Sequence, residues 1–273
     1  FSTVSIGGFS THDSSMAYFN SPAVNLITVA FLLISACNYA LHFNAFSNLG
    51  KRNIFVSYFR DPEFRFFMFI QTALVTVCFF MLLANHHFDG TFKNLEQAAF
   101  QSVSISTTAG YTTSSFDQWP LFLPILLLFA SFIGGCAGST GGGLKVIRIL
   151  VLSLQGKREL KRLIHPNLVY PIKLGKRVLD ERVIQSIWAF FSAYLLVFVV
   201  CLLGVISCGV ETFDAFNAVI ACLNNLGPGL GSVSSNFVSI PDSAKWILTL
   251  TMVCGRLEIF SLLVLFTPAF WKS

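Results

Sequence analysis

The stretch Phe100-Gln101-Ser102-Val103-Ser104-Ile105-Ser106-Thr107-Thr108-Ala109-Gly110-Tyr111-Thr112-Thr113 decides how this chain is read. It is too polar and too rich in hydroxyls for an ordinary membrane span, yet strongly apolar segments flank it. It has two echoes. Ser2-Thr3-Val4-Ser5-Ile6-Gly7-Gly8-Phe9 repeats its grammar, and Cys222-Leu223-Asn224-Asn225-Leu226-Gly227-Pro228-Gly229 repeats it more loosely. In each, small or polar residues lead to a glycine followed by an aromatic residue or a proline. Backbone that enters a membrane without spanning it is tolerated only where protein buries it or water lines it.

The composition supplies the membrane. Of 273 residues 54% are hydrophobic and 11% charged, with a mean hydropathy of +0.70. Soluble domains carry about 25% charged residues, so the chain reads as an integral membrane protein without a sizeable water-soluble domain. The net charge of +5 does not point to nucleic acid, because the basic residues sit in loops beside apolar spans, as positive-inside topology requires. Seven cysteines lie in apolar or re-entrant stretches without C-x-x-C spacing, and read as buried, inert thiols. The five histidines are scattered, which disfavours a metal site.

Taken in order, Pro22–Phe46 predicts a first span, long enough for the ~20 apolar residues that a bilayer requires. The following loop carries Lys51, Arg52, Arg60 and Arg65 against Asp61 and Glu63, and reads as cytoplasmic. Phe66–Ala84 predicts a second span, and Asn94–Ile105 a short helix that enters the membrane without crossing it. Trp119 and Pro120 are expected at the outer interface, where amphipathic rings collect. A second basic loop, 155–182, precedes a span at Val183–Ser207, a short entering helix at 212–223 and a last span at Ser243–Phe266. Span, short helix, extended segment and span thus recur twice completely and once in part, an internal repeat. The expected units are residues 1–65, 66–182 and 183–273. The chain opens partway through the first copy, which predicts that further sequence precedes it. Of 18 lysines and arginines, twelve fall in the two basic loops, which makes that side cytoplasmic. Asp13, Asp89, Glu96, Asp117, Glu211, Asp214 and Asp242 fall in or near outer segments, where a weakly acidic mouth would concentrate cations.

A monovalent cation entering a membrane must exchange its water for neutral oxygens that let it leave again. The carbonyls of Ile6, Gly7 and Gly8, of Thr108, Ala109 and Gly110, and of Asn225, Leu226 and Gly227 are the candidate ligands. Each central glycine allows a backbone angle or a close approach that a β-carbon obstructs. The short helices before the second and third segments would aim negative C-terminal ends, each about half a charge, at the axis.

A second motif lies in the run from Pro120 to Ser153, which would be about 51 Å long if wholly helical against a hydrocarbon core of ~30 Å. That run should break within Gly134-Gly135-Cys136-Ala137-Gly138-Ser139-Thr140-Gly141-Gly142-Gly143, six glycines in ten residues. A phosphate-binding loop is excluded, because Leu144 separates Gly143 from Lys145 and no strand precedes the tract. Gly134 and Gly138 at GxxxG spacing leave close helix packing open. The favoured reading is an intramembrane loop below the re-entrant segments that blocks or clears the path. Arg256, within an apolar run, needs a partner. Glu258, two positions on, lies on a different helix face. Arg256 would lie about 21 Å below Asp242, and Gly134 about 22 Å below Trp119. At matching depth, Arg256 is expected to bond carbonyls of the tract and hold it closed. A snorkelling arginine is the competing reading.

The Ile-Gly-Gly-Phe, Thr-Ala-Gly-Tyr and Asn-Leu-Gly-Pro segments together with the glycine tract resemble the bacterial Trk/Ktr/HKT superfamily of potassium transporters, closest to its TrkH/TrkG branch, over essentially the whole chain. The resemblance implies an all-α integral membrane protein with tandem helix–pore-helix–filter-loop–helix repeats around a pseudo-fourfold ion pore, the first filter segment lying upstream. It implies a homodimer in the bacterial inner membrane and a cytoplasmic nucleotide-binding regulatory subunit of the TrkA type. Asn225-Leu226-Gly227-Pro228 departs most from the family pattern. The resulting expectation is a channel-like potassium uptake pathway that is not an enzyme, with potassium as the transported ion and no catalytic cofactor. Symport of potassium with sodium or protons is the alternative within transport, although a mid-membrane pore-facing carboxylate is lacking unless Glu258 supplies it. A helical-bundle membrane enzyme or receptor is the alternative of another class, and would need a converging cluster of histidine, aspartate or cysteine that the sequence does not offer.

Overall fold

A computed structural model describes residues 1–273 except 48–53, 121, 167, 176, 266, 272 and 273. Of the basic residues read above, Lys51, Arg52 and Lys176 lie outside the described residues. The described chain is helical: α1 (Pro22–Ser35), α2 (Tyr39–Ser47), α3 (Ile54–Arg60), α4 (Pro62–Ala84), α5 (Thr91–Ser106), α6 (Leu123–Ala130), α7 (Val146–Ile164), α8 (Glu181–Ser207), α9 (Thr212–Leu223), α10 (Asp242–Arg256), α11 (Phe260–Leu265) and α12 (Pro268–Trp271). One antiparallel hairpin, β1 (Lys173–Leu174) and β2 (Arg177–Val178), lies within the second basic segment.

Sequence chemistry accounts for the helix starts. Pro22 and Pro62 occupy first-turn positions, where a missing N–H costs nothing. Asp61 caps α4 by accepting the Phe64 N–H at 2.9 Å. Asp180 likewise caps α8 through the Arg182 N–H at 3.2 Å.

α4 and α8, with 23 and 27 residues, are long and apolar enough to cross a membrane. At ~1.5 Å per residue they reach about 35 and 40 Å, and most of their surface faces outward, where lipid would lie. α5 and α9 are the opposite case. Residues 100–106 of α5 and 217–223 of α9 are buried without interruption, and a helix buried on all sides belongs inside a bundle. Several buried polar groups of α5 find partners: Ser104 Oγ donates to Tyr111 O at 2.7 Å, Ser106 Oγ to Gln71 Oε1 at 2.8 Å, and Gln101 Nε2 to Ser114 O at 2.8 Å. α5 packs on α1, α4 and α6, and α9 on α8 and α10.

Three expectations need correction. The span read over Pro22–Phe46 is two helices, α1 and α2, bent by 89° about Ala36–Asn38. There the Ala36 carbonyl accepts the Cys136 N–H at 2.8 Å, and the Asn38 side chain starts α2 by accepting the Ala40 N–H at 2.8 Å. The last span, read over Ser243–Phe266, also breaks: α10 stops at Arg256, and Glu258 and Ile259 take left-handed backbone with φ of 53° and 42°. Trp119, expected as an exposed interfacial ring, is instead buried in a cluster with Phe116, Leu123, Leu127 and Leu230. A ring surrounded by leucines gains more from full burial than from a half-wet boundary.

Candidate ion pathway

The three stretches that resemble one another in sequence adopt the same local structure. Ile6, Thr108 and Asn225 each donate their N–H to the carbonyl three residues back, Thr3, Ile105 and Cys222, at 3.0–3.1 Å. The next residues, Gly7, Ala109 and Leu226, donate to the carbonyl five back, Ser2, Ser104 and Ala221, at 2.8–2.9 Å. These paired bonds are the Schellman ending of a helix. That ending places its pivotal residue in left-handed backbone, where glycine is usual. Here the pivots are Ile6 (φ 51°), Thr108 (φ 64°) and Asn225 (φ 55°). An L-residue pays roughly 1–2 kcal/mol for that conformation, and two of the three are β-branched, for which it is rarer still. Two positions on, Gly8, Gly110 and Gly227 return to positive φ (69°, 78° and 98°), while the residues between stay negative.

The turns converge. All nine residues except Thr108 line one cavity of about 1040 Å³. Thr108 is fully buried behind it. The turns meet backbone to backbone: a β-carbon on Gly8 would stand 2.1 Å from Ala109 O, and one on Gly110 would stand 2.0 Å from Leu226 O. Glycine is therefore required twice over at Gly110, by φ and by the neighbouring carbonyl.

The glycine tract packs against two of these turns. No helix runs between Ala130 and Val146. The connection instead folds back under the turns. Gly142 N–H donates to Thr108 Oγ1 at 2.6 Å, and a β-carbon on Gly142 would stand 2.1 Å from Asn224 O. Gly141 lies against Thr107 O. Since Thr107 and Asn224 are the C-caps of α5 and α9, the tract sits at the negative ends of both helices.

Four groups hold the connection. Arg256 Nη1 donates to Thr140 O at 2.9 Å, and the arginine also lines the cavity. Lys145 Nζ, nearly buried, donates to Ser139 O at 3.2 Å and to Gly141 O. Glu63 Oε1, buried at the first turn of α4, accepts the Ala137 N–H at 2.6 Å. Finally, Thr140 Oγ1 reaches Val4 O at 3.4 Å, and Gly135 and Gly138 pack against Ala36 and Asn38 in the α1–α2 break. Gly134 and Gly143 close on each other at the neck, where Leu144 N–H donates to Phe132 O at 2.8 Å. Glu258 serves Arg148 instead of Arg256, with Nη2 and Oε2 2.5 Å apart and the Arg148 guanidinium 3.9 Å above the Phe190 ring.

Sequence reasoning missed several of these. Lys145 lies two residues past the tract, a position that was a usable signal. Glu63 was read as an ordinary loop acid, and nothing local marks it as buried. The Asn224 side chain donates to Ser131 Oγ at 2.7 Å and accepts from Tyr194 O–H, which ties α9, the end of α6 and α8 together.

Gln71 lies 13 residues before the end of α4, Tyr194 13 before the end of α8, and Arg256 14 after the start of α10. The α1 break at Ala36 lies 14 residues after Pro22. Each count is about 20 Å along its own helix, so these residues lie at similar distances from those helix ends.

Comparison with known proteins agrees with this geometry. The chain is 62% identical over 273 residues to the Trk system potassium uptake protein TrkH of Vibrio parahaemolyticus. It is 59% identical to TrkH of Escherichia coli K12 and 37% identical to TrkG of the same organism. Each alignment covers the whole chain and 55–56% of the relative, so the chain spans about half the length of the curated relatives it matches. The crystal structure of the potassium transporter TrkH from Vibrio parahaemolyticus superposes with a TM-score of 0.93 at 61% identity, covering 99% of this chain and 57% of that one. Residues 1–273 match the family described as TrkH, cation transport protein, and the chain belongs to that family.

Proposed function

We propose that this chain forms the greater part of a potassium uptake pathway through a bacterial inner membrane, with the turns at 6–8, 108–110 and 225–227 as walls of a selectivity filter. The observation that carries the reading is the threefold recurrence of one strained backbone turn around one cavity. Strain of this kind persists where function needs it. Alternating signs of φ turn successive carbonyls in a way that a regular strand, whose groups alternate sides, does not. Such carbonyls replace the water shell of a cation and release it again because they are neutral. The C-terminal ends of α5 and α9 add negative potential at the same level. The relatives named Trk system potassium uptake proteins support potassium as the expected ion.

The connection at 134–143 acts as the gate. Its bond to Thr108 and its close packing on Asn224 hold it beneath the turns, and Arg256 fastens its middle at Thr140. Opening requires those bonds to be exchanged together. No chemistry drives the ion, so the membrane potential does, at about 2.3 kcal/mol per charge per 100 mV. The protein is a transporter and not an enzyme. Its repeat units are 1–65, 66–182 and 183–273, its basic segments are cytoplasmic, and it works as a homodimer with a nucleotide-binding regulatory subunit. The test is uptake of potassium and sodium by the full-length protein in liposomes, wild type against Gly110→Ser. Unaltered rate and ion preference in the variant would remove the filter from the pathway.

A further inference from the structure

We propose that the groove between the lower end of α7 and the segment 170–173 binds the headgroup of an anionic phospholipid. The groove, about 380 Å³, is lined by Lys157, Lys161 and Lys173 together with Leu154, Leu160 and Tyr170 among others. Among the described residues none of the three lysines forms an ion pair. The neighbouring acids are already engaged, Glu181 by Arg158 and Glu159 by both Arg158 and Arg162. Lys161 Nζ stands 4.2 Å from the centre of the Tyr170 ring, which orients its charge along the groove wall. Three ammonium groups gathered around one concavity repel one another unless an anion neutralises them.

The depth of the groove selects the anion. α8 is 27 residues long, about 40 Å, which matches a bilayer including its headgroups (~40–45 Å) and exceeds the hydrocarbon core alone (~30 Å). Its first residue, Glu181, therefore lies in a headgroup layer. Arg158 of α7 is fastened to Glu181, and Lys157 and Lys161 sit on the same turns of α7. Beside the groove Leu160, Leu163, Ile164 and Val169 are 64–90% exposed. An acidic protein segment would satisfy the lysines and leave these side chains wet. A phospholipid satisfies both, phosphate to the ammonium groups and glycerol and acyl carbons to the leucines. Basic pockets at this level are where anionic headgroups bind.

The inference rests on α8 crossing the membrane and not on the gate or filter. The full-length protein, stripped of lipid in detergent, is titrated with short-chain phosphatidylglycerol and, separately, phosphatidylcholine, with binding followed by native mass spectrometry. Inorganic phosphate serves as competitor. Wild type should prefer phosphatidylglycerol, each of Lys157→Gln, Lys161→Gln and Lys173→Gln should weaken it about fivefold, and the triple variant on the order of a hundredfold. Phosphate at equal concentration should not displace the lipid. Equal affinity in wild type and the triple variant, no preference over phosphatidylcholine, or displacement by phosphate would each overturn the proposal. So would weakened binding of the cytoplasmic regulatory subunit with lipid affinity unchanged, which would make the groove a protein-docking site. Flotation with phosphatidylcholine vesicles checks the premise separately: wild type and variants should all co-float, and failure of wild type to do so would refute membrane crossing. Should the triple variant not fold, Lys173→Gln, in the hairpin, decides by its fivefold loss.

Discussion

Replacing Gly110 by serine tests the geometry where it is tightest. Two costs arise there. The residue sits at φ 78°, which a side chain makes unfavourable by roughly 1–2 kcal/mol. Its β-carbon would also stand 2.0 Å from Leu226 O and 3.0 Å from Pro228 Cδ. Carbon and oxygen do not approach within 3.0 Å without displacement, so the carbonyl must retreat by about 1 Å or the turn must swing away. Overpacking of that kind costs typically 1–3 kcal/mol. The sum, about 2–5 kcal/mol, bears on the one arrangement in which Leu226 O lies against Gly110. At 1.4 kcal/mol per factor of ten, that arrangement loses about 30-fold in population at the lower end. Because the protein can relieve the clash locally, the loss should appear in ion passage more than in folding. The assay is rubidium and sodium uptake into liposomes containing the full-length protein, with thermal unfolding measured alongside. Gly156→Ala serves as control: it lies in α7 with nothing near its β-carbon position, and alanine there should hold or slightly raise stability. A Gly110→Ser protein with wild-type rate and wild-type preference between the two ions would refute the reasoning.

Further predictions follow from the groups around the connection. Arg256→Ala removes the bond to Thr140 O; a hydrogen bond from a charged donor is worth about 1.5–3 kcal/mol, so the closed state should lose roughly 10- to 150-fold in single-channel recordings, and an unchanged open probability would remove Arg256 from the gate. Glu63→Ala leaves the Ala137 N–H without its acceptor and should lower stability by about 1–3 kcal/mol, while Glu63→Gln, which keeps an oxygen, should lose less; equal melting temperatures would show the bond to be idle. Asn224→Ala breaks the tie between Ser131 and Tyr194 and should cost more than Tyr194→Phe, which removes one bond of the set, as read by thermal unfolding. The pairing of Arg158 with Glu181 raises the arginine's proton affinity above its ordinary value through the carboxylate's hydrogen bond, so Arg158 keeps its charge at every physiological pH and lipid binding should show no titration from it between pH 6 and pH 9.

Much of this molecule is legible along the chain. Composition, the runs at 66–84 and 183–207, and the grammar shared by Ile6–Gly8, Thr108–Gly110 and Asn225–Gly227 depend on local chemistry. Apolar length sets a span and a glycine sets a turn, wherever the neighbours lie. The break between Ala130 and Val146 was likewise readable, because six glycines and an excess of length act locally. What the sequence left undecided depends on partners far away in the chain. Pro22–Phe46 and Ser243–Phe266 look continuous, yet both break where they meet the connection. Ala36 gives its carbonyl to Cys136, and Arg256 reaches Thr140, across about 100 residues or more. Glu63 resembles any loop acid until Ala137 is brought to it. A backbone group or charge inside a membrane has no water to fall back on, so its partner decides its conformation, and only the folded bundle supplies the partner.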